Sequence, residues 1–243
     1  MARRHVHRSA GRAGVARRGM NASRRRLGTV LGLVAVSLFC VALVLVRFTR
    51  SGSTEYTGLI WNLFLAWIPF VLAVGVYDRW RRHGAGVAVL ALGALWLLFF
   101  PNAPYIVTDF VHLQHRDDAP YWYDAVTVSA FAWTGLLLGF GSLFLMQTVV
   151  RQWRGVVSGW IFAGVALALG SVGIYLGRFL RLNSWDAVEH PSLLPRIVHA
   201  VARDPFTYGE AIGVTVLFTL ALGFAYFLLY NFAVVGRELD AER

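Results

Sequence analysis

Six blocks of apolar sequence constrain this chain more than any motif does. Leu27–Val46, Leu59–Tyr77, Val126–Val149, Val156–Leu176 and Ala211–Val235 hold 19 to 25 residues each, without one Asp, Glu, Arg, Lys or His. A helix that crosses the hydrocarbon of a bilayer needs roughly 17–25 mostly apolar residues. A sixth block, Ala85–Phe100, has 16 residues and runs straight into Pro101, so its end is expected to take in part of Pro101-Asn102-Ala103-Pro104. Barrel strands alternate apolar and polar over about ten residues, and these blocks do not. The fold class is therefore all-α, a membrane bundle of about six transmembrane helices with short amphipathic interfacial helices on the outer face. Its spans are placed at 27–46, 59–77, 85–100, 126–149, 156–176 and 211–235, behind a disordered basic tail at 1–26.

Arginine orients the bundle. All 23 basic residues are Arg, and with the N-terminus inside, 16 fall in cytoplasmic segments against 7 in outer ones. The positive-inside rule then puts both termini in the cytoplasm of a multi-pass plasma membrane protein. Nine arginines precede Leu27 with no acidic residue among them. Such a run suits anionic lipid beside a first span. Nucleic acid is the weaker partner for it, because no aromatic ring is interleaved to stack on bases. Ser23-Arg24-Arg25-Arg26-Leu27 is a poor export signal, since the apolar stretch is too long and no Ala-x-Ala site follows. The lone Cys40 lies inside the first span and excludes both an intrachain disulfide and a cysteine metal cluster. Gly135/Gly139, Gly155/Gly159 and Gly173/Gly177, each four apart, let helices approach closely, which serves internal packing first and a homo-oligomer or a membrane protein partner second.

Two polar segments, Pro101–Asp124 and Gly177–Pro191, fall on the same outer face. In the first, Ile106, Val107, Phe110 and Val111 recur at helical spacing, with Asn102 as a candidate cap and Pro104 in the first turn. Asp109 and His112 are three apart and share one stripe. They form the candidate catalytic pair, in which the carboxylate holds the imidazole for proton transfer. With His115 they could ligate a divalent ion, although no fixed metal signature is present, and the bland alternative is an exposed polar face. In the second segment Arg178 and Arg181 are also three apart, so a helix continuing past Gly177 would send both forks from one side toward carboxylate or phosphate. An ion pair with Asp109, Asp124 or Asp186 is the structural counterpart. Asn102, Asp124, Arg178, Arg181, Asn183 and Asp186 are accordingly the ligand- or ion-pair-forming candidates. Asn62 and Glu210 fall at the same level, among Trp61, Trp122, Tyr123 and Trp185, which suit an aromatic belt. Leu193, Leu194, Ile197, Val198 and Val201 have the spacing of an amphipathic lid.

The same segments carry a family resemblance. Leu95-Trp96-Leu97-Leu98-Phe99-Phe100-Pro101-Asn102-Ala103-Pro104-Tyr105, Thr108-Asp109, His112-Leu113, Trp122-Tyr123-Asp124, Gly173-Ile174-Tyr175-Leu176-Gly177-Arg178-Phe179-Leu180-Arg181 and Asn183-Ser184-Trp185-Asp186 resemble an uncharacterised family of bacterial membrane proteins, the domain-of-unknown-function family 1361. The resemblance runs from about Leu59 to about Pro191 and leaves out the basic tail and the first span. It implies a bacterial plasma membrane protein and no activity. His115, Asp117 and Asp118 lie outside the matching parts, which weakens a three-ligand metal site.

No motif fixes a reaction, a substrate or a cofactor. The expected function is a polar outer cap that is structural or mediates assembly with partners in the lipid bilayer. The alternative is a membrane-embedded enzyme or ligand-binding protein acting on a lipid-linked or anionic substrate. A coupled transporter is disfavoured, because no ionisable residue lies within the six blocks.

Overall fold

In the computed structural model the described residues are 3–113, 120–181 and 209–241, with 189, 192, 196 and 203; side chains are described at 24, 26–113, 120–181, 209–236 and those four positions. The long helices are α1 (Arg3–Ser51), α2 (Thr57–His83), α3 (Val87–Phe99), α5 (Tyr121–Arg154), α6 (Val156–Phe179) and α7 (Gly209–Ala241), and a one-turn α4 (Asn102–Tyr105) leads into a 3-10 helix, Ile106–His112. No strand occurs among the described residues. Six helical stretches are long and apolar enough to cross a membrane: Arg26–Ser51, Thr57–His83, Val87–His112, Tyr121–Arg154, Val156–Phe179 and Gly209–Gly236. The molecule is an all-α, multi-pass membrane protein.

Helix α1 is continuous from Arg3 to Ser51. The third span, expected to take in part of Pro101-Asn102-Ala103-Pro104, continues past both prolines to His112. Pro101 takes ordinary helical angles, φ −58° and ψ −28°. The chain keeps its backbone bonds around both rings, with Phe100 N–H donating to the Trp96 carbonyl, Ala103 to Phe100 and Tyr105 to Pro101. Asn102 does not cap α4. Its Nδ2 reaches back to the Phe99 carbonyl at 3.0 Å and answers an acceptor at the end of α3.

Helix α5 is central. It packs against α1, α2, α6 and the 3-10 helix, whereas α7 touches chiefly α6 and leaves Leu220, Phe224, Phe227, Leu228 and Phe232 exposed, as a lipid-facing helix does. One core gathers around Trp96, Phe140, Leu143, Ile174 and Tyr226, and a second around Cys40, Leu63, Ala103, Ile106, Phe131 and Leu138. The glycines are what admit the bent third span. A Cβ on Gly135 would stand 2.6 Å from the Ala103 carbonyl oxygen, one on Gly139 3.2 Å from the Ala103 Cβ, and one on Gly173 2.4 Å from the Pro101 Cγ. Gly170, absent from the four-residue pairs, does the same for Phe100 at 2.9 Å. Small residues on α5 and α6 thus form a trough for Phe100–Ile106, which is the internal-packing use of such spacing.

Short links tie the two ends of the bundle. Near the basic tail, Arg26 grips both Asp78 oxygens at 2.8 and 3.0 Å, Trp80 Nε1 donates to Gln152 at 3.0 Å, and Arg151 bonds the Tyr230 hydroxyl. At the remote end, here the distal end, α1, α3 and α6 finish and α2, α5 and α7 begin. Both polar segments start there.

Candidate functional site at the distal end

The 3-10 helix positions the first group of side chains. With three residues per turn, Ile106, Asp109 and His112 stack along one face. Ile106 is fully buried against the trough, Asp109 is buried, and His112 emerges into the open. Thr108 Oγ1 donates to the Tyr105 carbonyl at 2.7 Å and holds the preceding turn. Two other elements then converge on Asp109. Asn62, from the first part of α2, donates through Nδ2 to Oδ2 at 2.8 Å, and Arg178, from the end of α6, places Nη1 3.4 Å from Oδ1. Buried carboxylates persist where they are hydrogen-bonded and paired, and Asp109 has both kinds of partner.

Arg178 does more than answer that charge. Its Nη2 donates to the Thr108 carbonyl at 3.1 Å and lies 2.9 Å from His112 Nε2, with the guanidinium over the Tyr105 ring at 6.0 Å. A guanidinium can only donate, so Nε2 supplies the lone pair and the proton of the neutral imidazole sits on Nδ1. The arginine therefore fixes the tautomer of His112. The sequence reading has Asp109 orient the imidazole; here Arg178 contacts both side chains.

The remaining candidates separate. Helix α6 ends at Phe179, and Arg181 follows its C-cap with φ +55°, a left-handed conformation typical of a helix stop, so the helical spacing that would align it with Arg178 is not kept. Asp124 does not join the cluster either. It belongs to the first turn of α5 and receives Arg47 of α1 in a two-pronged pair, Nε to Oδ1 at 2.6 Å and Nη2 to Oδ2 at 3.1 Å, with side-chain exposures of 2% and 1%. Asn183 and Asp186, with Trp185, His115 and the 193–201 stretch, lie outside the described residues. Among the described residues no three His, Cys, Asp or Glu side chains gather as a metal set.

A cavity of about 370 Å³ opens beside the cluster, lined by Glu55, Tyr56, Gly58, Leu59, Asn62, Tyr105, Asp109, His112 and Arg178. Three of these went unread in the sequence. Ser53-Thr54-Glu55-Tyr56-Thr57-Gly58 joins the first two spans on the face of the polar segments, and Glu55 is its only carboxylate; that coincidence was the available signal. Tyr56 is 4% exposed, and its ring lies under the Arg47 guanidinium at 4.7 Å. Its hydroxyl makes no hydrogen bond of ordinary geometry among the described residues, with the Asp124 carboxylate close enough to act on it as a weak acceptor. Burial, with the nearby Asp124 carboxylate adding to it, pushes the phenol up to about 12, so it stays protonated at any physiological pH.

A buried hydroxyl left without a good hydrogen bond costs about 1–3 kcal/mol. Tyr56→Phe is therefore expected to leave the folded protein at least as stable as the parent, and up to that much more stable. Thermal unfolding in mild detergent measures it, and a clear loss of stability would show that Asp124 accepts a full hydrogen bond from the hydroxyl.

Residues 61–228 match the family model described as "Protein of unknown function (DUF1361)". The chain belongs to this family. The DUF1361 match starts inside α2, leaves out the basic tail and α1, and runs beyond Pro191 into α7, further than the motifs alone extend. It takes in Asn62, Asp109, His112, Asp124 and Arg178, and leaves out Arg47, Glu55 and Tyr56. No curated protein and no solved structure matches the chain.

Proposed function

We propose that this protein binds a small polar ligand at the distal end of its bundle, in the cavity walled by Asn62, Asp109, His112 and Arg178. One observation carries the reading. Polar groups from three separate elements, Asn62 of α2, Asp109 and His112 of the 3-10 helix and Arg178 of α6, converge on the wall of an open cavity, the usual composition of a ligand site. Arg178 and Asn62 orient the ligand, and the Nε2 lone pair of His112 becomes a proton acceptor whenever a ligand draws the arginine away. The distal end faces outward across a bacterial plasma membrane with both termini cytoplasmic, a reading supported by the 16 to 7 distribution of arginine. The basic tail lies against anionic lipid.

A structural cap is the second reading, favoured by Arg178 itself, which ties Asp109, Thr108 and His112 to the end of α6. Gly58 separates the two. It lies in the first turn of α2, lines the cavity, and a Cβ there meets nothing within 4 Å. Gly58→Phe is expected to fill the cavity without loss of stability, since replacing a helical glycine recovers about 0.5–1 kcal/mol. Native mass spectrometry of the full chain should find a small adduct on the parent and none on the variant. A parent without adduct, together with full rescue of a deletion phenotype by Gly58→Phe, would return the cluster to the cap.

A further inference from the structure

Building on the ligand-binding role of this cavity, we infer that its occupant is an uncharged, hydroxyl-rich ring of hexose size. The charges on the wall already answer one another. Arg178 places Nη1 3.4 Å from Asp109 Oδ1, and its Nη2, 2.9 Å from Nε2, holds His112 as a neutral imidazole. Glu55 is not free either, so no unanswered charge faces the ligand among the described residues. A carboxylate or phosphate entering here must take Arg178 from Asp109, and an ammonium must take Asp109 from Arg178. Either exchange strands one partner of the pair, which is costly where solvent is scarce. A neutral occupant disturbs neither.

What the wall still offers is a mixture of unused donors and acceptors. The Nε–H and one Nη1–H of Arg178, with the Nδ1–H of His112, have no acceptor among the described residues. Asn62 bonds Asp109 through Nδ2 and leaves its carbonyl oxygen open, and the Tyr105 hydroxyl has no partner among the described residues. Such a set suits hydroxyl groups, each of which both donates and accepts. A ketone or an ester would use the donors alone. Tyr56, Leu59 and Tyr105 add apolar wall between these groups, as the C–H faces of a sugar ring require.

Size narrows the polyol. A cavity of about 370 Å³ equals the liquid share of about a dozen waters at ~30 Å³ each. A hexose has about as many non-hydrogen atoms, bonded more compactly, so it fits with room for some water, whereas a three-carbon polyol would leave most of the space to water. Trp61 and Trp122 stand at the same end of the bundle with exposures of 54% and 66%, and exposed tryptophans of a membrane protein sit at the headgroup level. A sugar in the water and a sugar carried on a lipid can both reach that level, and the neutral ring is the part common to the two.

The test uses the full-length protein in a sugar-free polyoxyethylene detergent, read by native mass spectrometry. The probes are octyl glucoside, galactoside and mannoside, with octyl glucuronide and octyl glucosaminide as the same kind of ring bearing a carboxylate or an ammonium. At least one neutral hexoside should be retained about tenfold more tightly than either charged ring, since each charge would have to break the Asp109–Arg178 pair. Gly58→Phe, which fills the cavity, should abolish that retention. Displacement of the hexoside by the free sugar at similar concentration would support a dissolved source, and displacement only by the matching glycosyl diacylglycerol a lipid-borne one. A charged ring held as tightly as the neutral ones would overturn the uncharged occupant, and retention undiminished in Gly58→Phe would place the sugar outside the cavity and overturn it too. A small adduct on the parent protein with no hexoside retained would sink the sugar and leave the pocket standing. No adduct and no hexoside would take down the pocket reading together with this one.

Discussion

Arg47→Leu should be among the most damaging single changes in the molecule, lowering stability by about 3–5 kcal/mol. The guanidinium and Asp124 face one another at 2.6 and 3.1 Å with almost no solvent, and the Tyr56 ring covers the open side of the arginine. Removing one partner leaves a carboxylate buried at 1% exposure among α1, α5 and the turn before α2. The double change Arg47→Leu with Asp124→Leu removes both charges and should recover most of the loss, because a buried ion pair is worth little more than well-packed apolar side chains. Titration with sodium dodecyl sulfate, following helicity, would read all three variants. A single variant as stable as the parent would mean that water reaches Asp124 once the arginine is gone.

Gly135→Ala is the second large effect and arises from packing alone. The added methyl would stand 2.6 Å from a backbone oxygen, Ala103 O, and 2.9 Å from Ile106 Cδ1, so α5 and the bent third span must move apart. Overpacking of this kind costs about 1–3 kcal/mol. The loss should reach the site, because Asp109 lies one 3-10 turn beyond Ile106, which the added methyl would displace. Gly164→Ala is the control, as a Cβ there meets nothing within 4 Å. Thermal unfolding of both variants should separate them clearly; equal melting points would remove the trough as the support of the distal end.

What the sequence makes legible is whatever depends on local composition. Charge-free blocks place six spans, and the i, i+3 spacing of Asp109 and His112 puts the two on one face whether the segment is α or 3-10. Partners remote in sequence are another matter. Arg47 and Asp124 are 77 residues apart, and the first reads as an ordinary charge at the end of a span until α1 is seen to continue to Ser51. The paired prolines, each lacking a donor, leave open in the sequence how far the span runs beyond them. Only the glycines of α5 and α6 make room for the chain to continue, and a trough is a tertiary object. Arg181 was misplaced by extrapolating a helix two residues beyond its end, a matter of one positive φ.

The bend at Pro101 also bears on how the protein is assembled in the membrane. The apolar part of the third span, Val87–Phe99, is 13 residues long, about 20 Å of helix, short of a hydrocarbon layer of about 30 Å. The balance of the crossing is made by a segment whose Asp109 is costly in lipid unless Asn62 and Arg178 already surround it. Asn62 is synthesised before this segment, but Arg178 comes 69 residues after Asp109, at the end of α6. Val87–His112 is therefore a poor substrate for one-at-a-time insertion and becomes a stable span only after α5 and α6 have entered. In an Asp109→Cys variant, chains truncated before Val156 should leave the thiol open to a water-soluble reagent, whereas chains that include α6 should bury it, so the fifth span completes the third.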